Sequence, residues 1–179
     1  MSAISAVLRD LYDGESDLVQ SFLSTAERHP SEHEVHHVAT DLARWSREHA
    51  DRIARVAGPH GLHLPHSADD APPGRPPILR GSIERPAPAL GETPEPDLSL
   101  LHDLCELHLA ATGNSLNWEI LAQAAQATGD GHLLDLSAAC HPQTLRQMRW
   151  TNTMIKTLSP QLLSTATGSE RAASPGAGG

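Results

Sequence analysis

"PHGLHLPHSADDAPPGRPPILRGSIERPAPALGETPEPD", residues 59–97, holds ten of the fourteen prolines in this chain. Proline fixes φ and has no N–H to give. A stretch so rich in it, interleaved with small and charged residues, forms no helix and makes a poor strand. It reads as a linker, extended or without fixed structure. The sequence on either side is patterned quite differently, and the length of the insert decides how the two sides can be put together.

Ahead of it, Ile4, Leu8, Leu11, Leu18 and Phe22 recur every three or four residues, with Val7, Val19 and Leu23 widening the stripe. That spacing predicts an amphipathic helix over 4–28. Pro30 breaks it, and Ser31 followed three residues later by Glu34 has the form of a capping box for a second helix over 32–57, ended by Gly58 and Pro59. So short a connection makes the two helices antiparallel neighbours. Beyond the linker, Leu101, Leu104, Leu107, Ala111, Trp118, Leu121 and Ala125 predict a third helix over 98–127 with Asp97 as its N-cap. Asp130 is placed to cap a fourth, whose inward positions Leu133, Leu136, Cys140, Leu145, Met148, Thr151, Ile155 and Leu158 lead to Pro160. Pro142 lies inside that run and predicts a kink or a restart. The expected organisation is a helical hairpin over 1–58, the linker over 59–97, a second hairpin over 98–160, and a disordered tail over 161–179, whose residues are too small and polar to pack.

Only 3% of the residues are aromatic, so the core must be built from Leu, Ile, Val, Ala and Met, which suits packed helices. The net charge of -9 is spread along the chain without a basic stripe to neutralise phosphates, and nucleic acid is not an expected partner. Cys105 and Cys140 lack a C-x-x-C spacing and read as reduced core thiols. The opening "MSAISAVLRDLYDGE" reaches charged residues within a few positions, and no apolar run is long enough to span a bilayer. A cytoplasmic chain with no membrane segment is the expectation.

Two short connections and one long one carry topological information. A helix of 26 residues is about 40 Å long, and an extended proline-rich link of this size covers more than twice that distance. The third helix can therefore start where the second started. The result is an all-α, up-down four-helix bundle with a long Pro-rich crossover between the second and third helices, the ferritin-like plan. Two separate hairpins on a tether are the other arrangement the pattern allows.

Two residues interrupt the apolar stripes. Glu15 stands between Leu11 and Leu18, and His49 between Trp45 and Ile53. A carboxylate in a buried slot is costly unless it is paired or bound to a cation, so the two could share a proton or hold a metal. A carboxylate at the stripe's edge in reach of water, with the histidine bonded to a backbone carbonyl, is the simpler alternative. Cys105 and His108, at i and i+3, share a face in a spacing that zinc can use, but two ligands do not make a site. Glu34 and His37 fall in the first turns of the second helix, off its apolar stripe, and are expected to be solvated. The fourth helix adds His141, Gln143, Gln147 and Asn152, of which the amides are weak metal ligands. There is no nucleophile with a base, no phosphate loop and no repeat.

"LRDLYDGESDLVQSFLSTAE", residues 8–27, resembles the opening of the YciF-like ferritin-like family, which begins its first helix with Leu-Tyr-Asp-Ala-Glu; here the motif reads "LYDGE". The likeness extends through "EHADRIARVA" on the second helix and more faintly through the third and fourth. The family is stress-associated and similar to di-iron carboxylate bundles. The resemblance implies that Glu15 and His49 match its first-helix glutamate and second-helix histidine. Other positions depart from the pattern. Trp45 or Ser46 stands where a glutamate is expected one turn before the histidine, and Asn114 replaces the third-helix glutamate unless Glu119 serves by a shifted register. The acidic run of the fourth helix reads "CHPQT", residues 140–144. A bridged di-iron centre needs several carboxylates, and Glu15 with Glu119 are too few.

The reading that follows is a divergent member of that family with a degenerate di-metal site. Glu15 and His49 remain as a buried polar pair, joined by Glu119 and His141 as candidate metal ligands. No cofactor is expected, and iron, manganese or zinc is the alternative. The expected role is non-catalytic, structural or as a partner of another protein, in a homodimer with Trp118 or Trp150 at its seam. A metal-binding protein with iron or peroxide redox chemistry, and a small-molecule carrier lined by the fourth helix, are the competing functions.

Overall fold

The computed structural model describes residues 2–65 and 96–172. They form four helices: α1 (Ala3–Arg28), α2 (His33–Ala57), α3 (Pro96–Thr128) and α4 (Gly131–Ala172). α1 starts at Ser2, whose Oγ accepts from the Ser5 N–H at 3.1 Å. The expected capping box at Ser31 is not formed. Glu32 is the N-cap of α2 and makes no side-chain capping bond. The turn is closed instead by the Glu32 N–H on the His29 carbonyl at 3.1 Å and by a 2.9 Å contact between His36 Nδ1 and the Ala26 carbonyl. α3 begins at Pro96, two residues earlier than expected, because proline's fixed φ and missing N–H suit the first position of a helix. Asp130 caps α4 as its place in the sequence suggests, Oδ1 accepting from the His132 and Leu133 N–H groups at 3.1 Å each.

α1 packs on α2 and α3, and α4 packs on α3 and α2. Going up α1, the partners on α3 descend from Trp118 beside Glu15 to Asp103 beside Arg28, so this pair is antiparallel. The same holds for α2 and α4, where Ser46 meets Gln147 and His49 meets Gln143. α2 and α3 consequently run in the same direction. Leu62 and Leu64 pack with Leu8 and Leu133 at one end of the bundle, whereas Leu100 packs with Val35 and Met154 at the other. Most of the expected proline-rich crossover, residues 66–95, lies outside the described residues.

Residues 59–65, expected to belong to the linker, are part of the fold. A 3-10 turn (Gly58–His60) leads to Gly61 at φ +74°, a left-handed conformation that glycine adopts without strain. Leu62 and Leu64 then point inward on alternate residues. Ser5 Oγ donates to the His60 carbonyl at 2.8 Å and Tyr12 Oη to the Pro65 carbonyl at 3.0 Å. The core is aliphatic, centred on Leu8, Leu11, Leu18, Leu107, Leu121 and Leu133 with Phe22 and Trp118, all fully buried. Each such side chain contributes about 1.5–3 kcal/mol of transfer free energy.

α4 departs from expectation in two ways. It is continuous through Pro142 and Pro160 to Ala172, so the helix takes in residues expected in the tail. Each proline removes one N–H from the ladder, and around Pro142 the packing of α4 on α3 and α2 absorbs the loss. Because it does not restart at Pro142, the period set by Leu133, Leu136 and Cys140 carries on through Thr144, Gln147, Thr151 and Met154, all buried. Leu145, expected in the core, is exposed. The inner face of α4 is thus polar at mid-height, where the other helices also bring polar groups inward.

Candidate functional site

Four helices meet at mid-height around the Glu15 carboxylate, which is fully buried. The stripe Leu8, Leu11, Glu15, Leu18 on α1 leaves it no route to water. From α3, Trp118 Nε1–H donates to Glu15 Oε1 at 3.0 Å. From α2, His49 brings Nδ1 to 3.2 Å from the same oxygen, close enough for an ion pair but off the line of a hydrogen bond. The other ring nitrogen, Nε2, lies 2.7 Å from Gln143 Oε1 on α4. The His49 and Trp118 rings meet edge-on, their centroids 5.9 Å apart.

Both nitrogens of His49 therefore face oxygen acceptors, an arrangement that suits a ring carrying two N–H groups. Burial alone would lower the pKa of His49, but the Glu15 carboxylate, helped by Gln143, outweighs burial and the opposing Arg52, leaving it raised above the ordinary 6.5. The centre of the bundle thus favours the protonated form of the His49 ring beside Glu15, with an indole N–H as third member. Cys140 lies on the same layer. Burial, and then the Glu15 carboxylate, push its thiol up to about 12, with Arg52 acting the other way, so it is an inert neutral thiol.

The layer extends one turn along the bundle through Gln147, whose Nε2 donates to Ser46 Oγ at 2.9 Å and to the Leu42 carbonyl at 3.2 Å. On the other side, Asn114 leans against Gly14. A Cβ on Gly14 would come 2.2 Å from Asn114 Oδ1. The glycine in "LYDGE" and the asparagine on α3 are therefore one feature: the larger side chain fills room that an alanine would take.

Of the sequence-derived candidates, the structure brings Glu15 and His49 together. Glu119 is exposed on α3, because the inner stripe Leu107, Ala111, Asn114, Trp118 puts residue 118 inward and residue 119 out. His141 contacts Ser115 Oγ through Nε2 at 2.9 Å, and His108 contacts Thr151 Oγ1 at 2.9 Å. Glu34 and His37 are exposed. Cys105 and Cys140 are free thiols, the first half-buried and the second buried. Trp118, expected at a dimer seam, is fully buried. Its role as the carboxylate's partner was missed, because α3 carries apolar residues on more than one side and its period alone does not say which side meets α1.

The donor set does not fit a dinuclear metal centre. Two cations need several carboxylates to neutralise them, and this layer has one. The Trp118 N–H takes one oxygen of Glu15, and the two nitrogens of His49 face Gln143 and Glu15 rather than a shared metal position. Among the described residues no group of three or more His, Cys, Asp or Glu side chains is gathered to hold a metal ion.

A second polar cluster joins α1 to α3 near one end. The buried Asp103 carboxylate lies 2.8 Å from His29 Nε2 through one oxygen and 3.1 Å from Arg28 through the other. Beside it runs an open cleft of about 470 Å³ lined by Ser21, Ser24, Arg28, His102 and Asp103; the Glu15 layer does not contribute to it. Among the described residues no helix is long and apolar enough to cross a membrane. No protein-family model matches the chain, and no curated protein and no solved structure matches it, which leaves the buried Glu15, His49 and Trp118 cluster to be read on its own geometry.

Proposed function

We propose that this chain is a ferritin-like bundle in which an internal ion pair occupies the place of a metal centre, and that it serves as a non-catalytic structural or interaction protein. The resemblance of its first helix to a stress-associated family supports placing that role in a stress response. The helix order and the common direction of α2 and α3 support the ferritin-like reading. The observation that carries the functional reading is the Trp118 N–H donated to Glu15, which binds the carboxylate to the bundle itself. With His49 beside it, the Glu15 carboxylate has its counter-charge inside the chain.

One observation favours the alternative, an iron- or manganese-binding bundle with peroxide chemistry. Glu15 Oε2 is buried and has no hydrogen-bond partner among the described residues. Elemental analysis decides between the two. The full chain, purified without a histidine tag or chelator, is measured before and after anaerobic incubation with ferrous iron. The ion-pair reading expects no stoichiometric metal in either sample. One or two metals per chain, lost in Glu15→Ala, would replace it with the metal-binding reading.

A further inference from the structure

α3 is apolar on two opposite sides. Leu104, Leu107, Ala111, Trp118, Leu121 and Ala125 face the core. Half a turn away, Leu109, Leu116 and Ile120 stand 60%, 54% and 44% exposed at spacings of seven and four, which keeps them on one outer stripe. The edge of α4 beside that stripe continues it. His141 on α4 touches Ser115 on α3, and Leu134 and Leu145, two turns before and one turn after His141, are 36% and 45% exposed. From Glu106 to Glu119 the stripe carries no charged residue, on a chain whose net charge is -9. A single exposed leucine needs no explanation, but five large aliphatic side chains on the outer side of α3 and α4, with Glu119, Asp135 and Arg146 at their margins, mark an interaction site.

We infer that a second copy of this chain occupies this face, with α3 packed antiparallel on its symmetry mate in an isologous dimer. The stripe is self-complementary, as a two-fold interface requires. About an axis between Asn114 and Ser115, Leu109 of one copy meets Ile120 of the other, and Leu116 meets Gly113. Gly113 faces open space, where a Cβ would find nothing within 4 Å, so it is a hole of the size that Leu116 fills. The same register sets Glu106 opposite Gln123 and brings neither Glu106 nor Glu119 onto an acid, which a chain of this charge must avoid to self-associate.

The size is adequate. The stripe from Cys105 to Ala127 is roughly 33 Å long, and with the α4 edge it is about two helix diameters wide. That is about 600 Å² per protomer, or about 1,200 Å² in total, the lower bound for a stable specific interface. The face is on the far side of α3 from Glu15, so this inference and the metal-free reading of the core stand or fall separately.

Sedimentation equilibrium of the full chain, with the far-ultraviolet helix signal recorded alongside, tests the inference. The wild type is expected at twice the 19.1 kDa chain mass. Leu116→Arg is expected at 19.1 kDa with unchanged helicity, and Gln20→Arg on exposed α1 should stay dimeric. Leu116→Cys provides a check that does not depend on disrupting anything. Mild oxidation should convert it to a covalent dimer, because residue 116 lies within one turn of the axis and close to its own mate. A monomeric wild type, whether the face is covered by the chain's own residues 66–95 or by another protein, would overturn the inference. So would a dimer that survives Leu116→Arg and does not cross-link through Leu116→Cys.

Discussion

Removing His49 alone should be among the most damaging changes at the centre of this bundle. In His49→Leu the Glu15 carboxylate remains fully buried with only the Trp118 N–H to meet it. Breaking a buried pair by removing one partner costs about 3–5 kcal/mol, because the other charge stays behind unpaired. For a chain of this length each kcal/mol lowers the melting temperature by about 2–4 °C, so the expected fall is about 6–20 °C. The double variant Glu15→Gln/His49→Leu removes the charge while keeping an oxygen for Trp118. It should recover more than half of that loss, giving a large favourable coupling in a double-mutant cycle. Urea unfolding followed by circular dichroism supplies the three free energies. The pH dependence adds a second test. A histidine whose pKa is raised on folding stabilises fully below its ordinary 6.5, and this contribution is lost as pH rises through its elevated folded-state value. The wild type should therefore lose stability over that window relative to Glu15→Gln, in which the main cause of the shift is gone. A cost below about 1 kcal/mol for His49→Leu, or a double variant as unstable as the sum of the singles, would refute the buried-charge reasoning.

Three further outcomes are expected. Gly14→Ala should destabilise by about 1–3 kcal/mol despite alanine's better helix propensity, because its Cβ meets Asn114; Asn114→Ala added to it should restore most of the loss in thermal melts. Asp103→Asn breaks the contacts to His29 and Arg28, and should cost about 1.5–3 kcal/mol in urea unfolding with no change in the Glu15 layer. Iodoacetamide at pH 8 should leave Cys140 unmodified in the native chain until denaturant is added, since its thiol is buried with its pKa pushed up to about 12; mass spectrometry counts the adducts.

The helices themselves were legible because their apolar residues recur at helical spacing and their ends carry proline, glycine and aspartate. The buried pair was legible for the same reason, since Glu15 and His49 each stand in a stripe of otherwise apolar residues. What the pattern hid was register. A kink or restart expected at Pro142 invited a new period through Leu145 and Met148, whereas the uninterrupted helix keeps the old one and turns Thr144 and Gln147 inward. A hydropathy pattern cannot show that Gln147 is satisfied there by Ser46 and the Leu42 carbonyl. α3 was hard for the opposite reason. With apolar residues on two sides it has no single preferred face, so residues 118 and 119 were both open until neighbouring helices fixed the angle. The linker boundary was set by proline content, which does not register two leucines, Leu62 and Leu64, packed just beyond the end of α2.

The ownership of the central layer matters for assembly. Glu15 and His49 belong to the α1–α2 hairpin, whereas Trp118 and Gln143 come from α3 and α4. The first hairpin thus carries a charged key at mid-height, and the second carries the matching lock, an indole N–H on one side and an amide oxygen on the other. Aliphatic faces alone would dock almost as well if one hairpin slid past the other by a turn, about 5.4 Å. Such a slip would strand the carboxylate against Leu121 or Asn114 and leave the imidazolium without its amide. The pair therefore selects one alignment of two otherwise forgiving greasy surfaces, a service it performs whether or not it strengthens the fold.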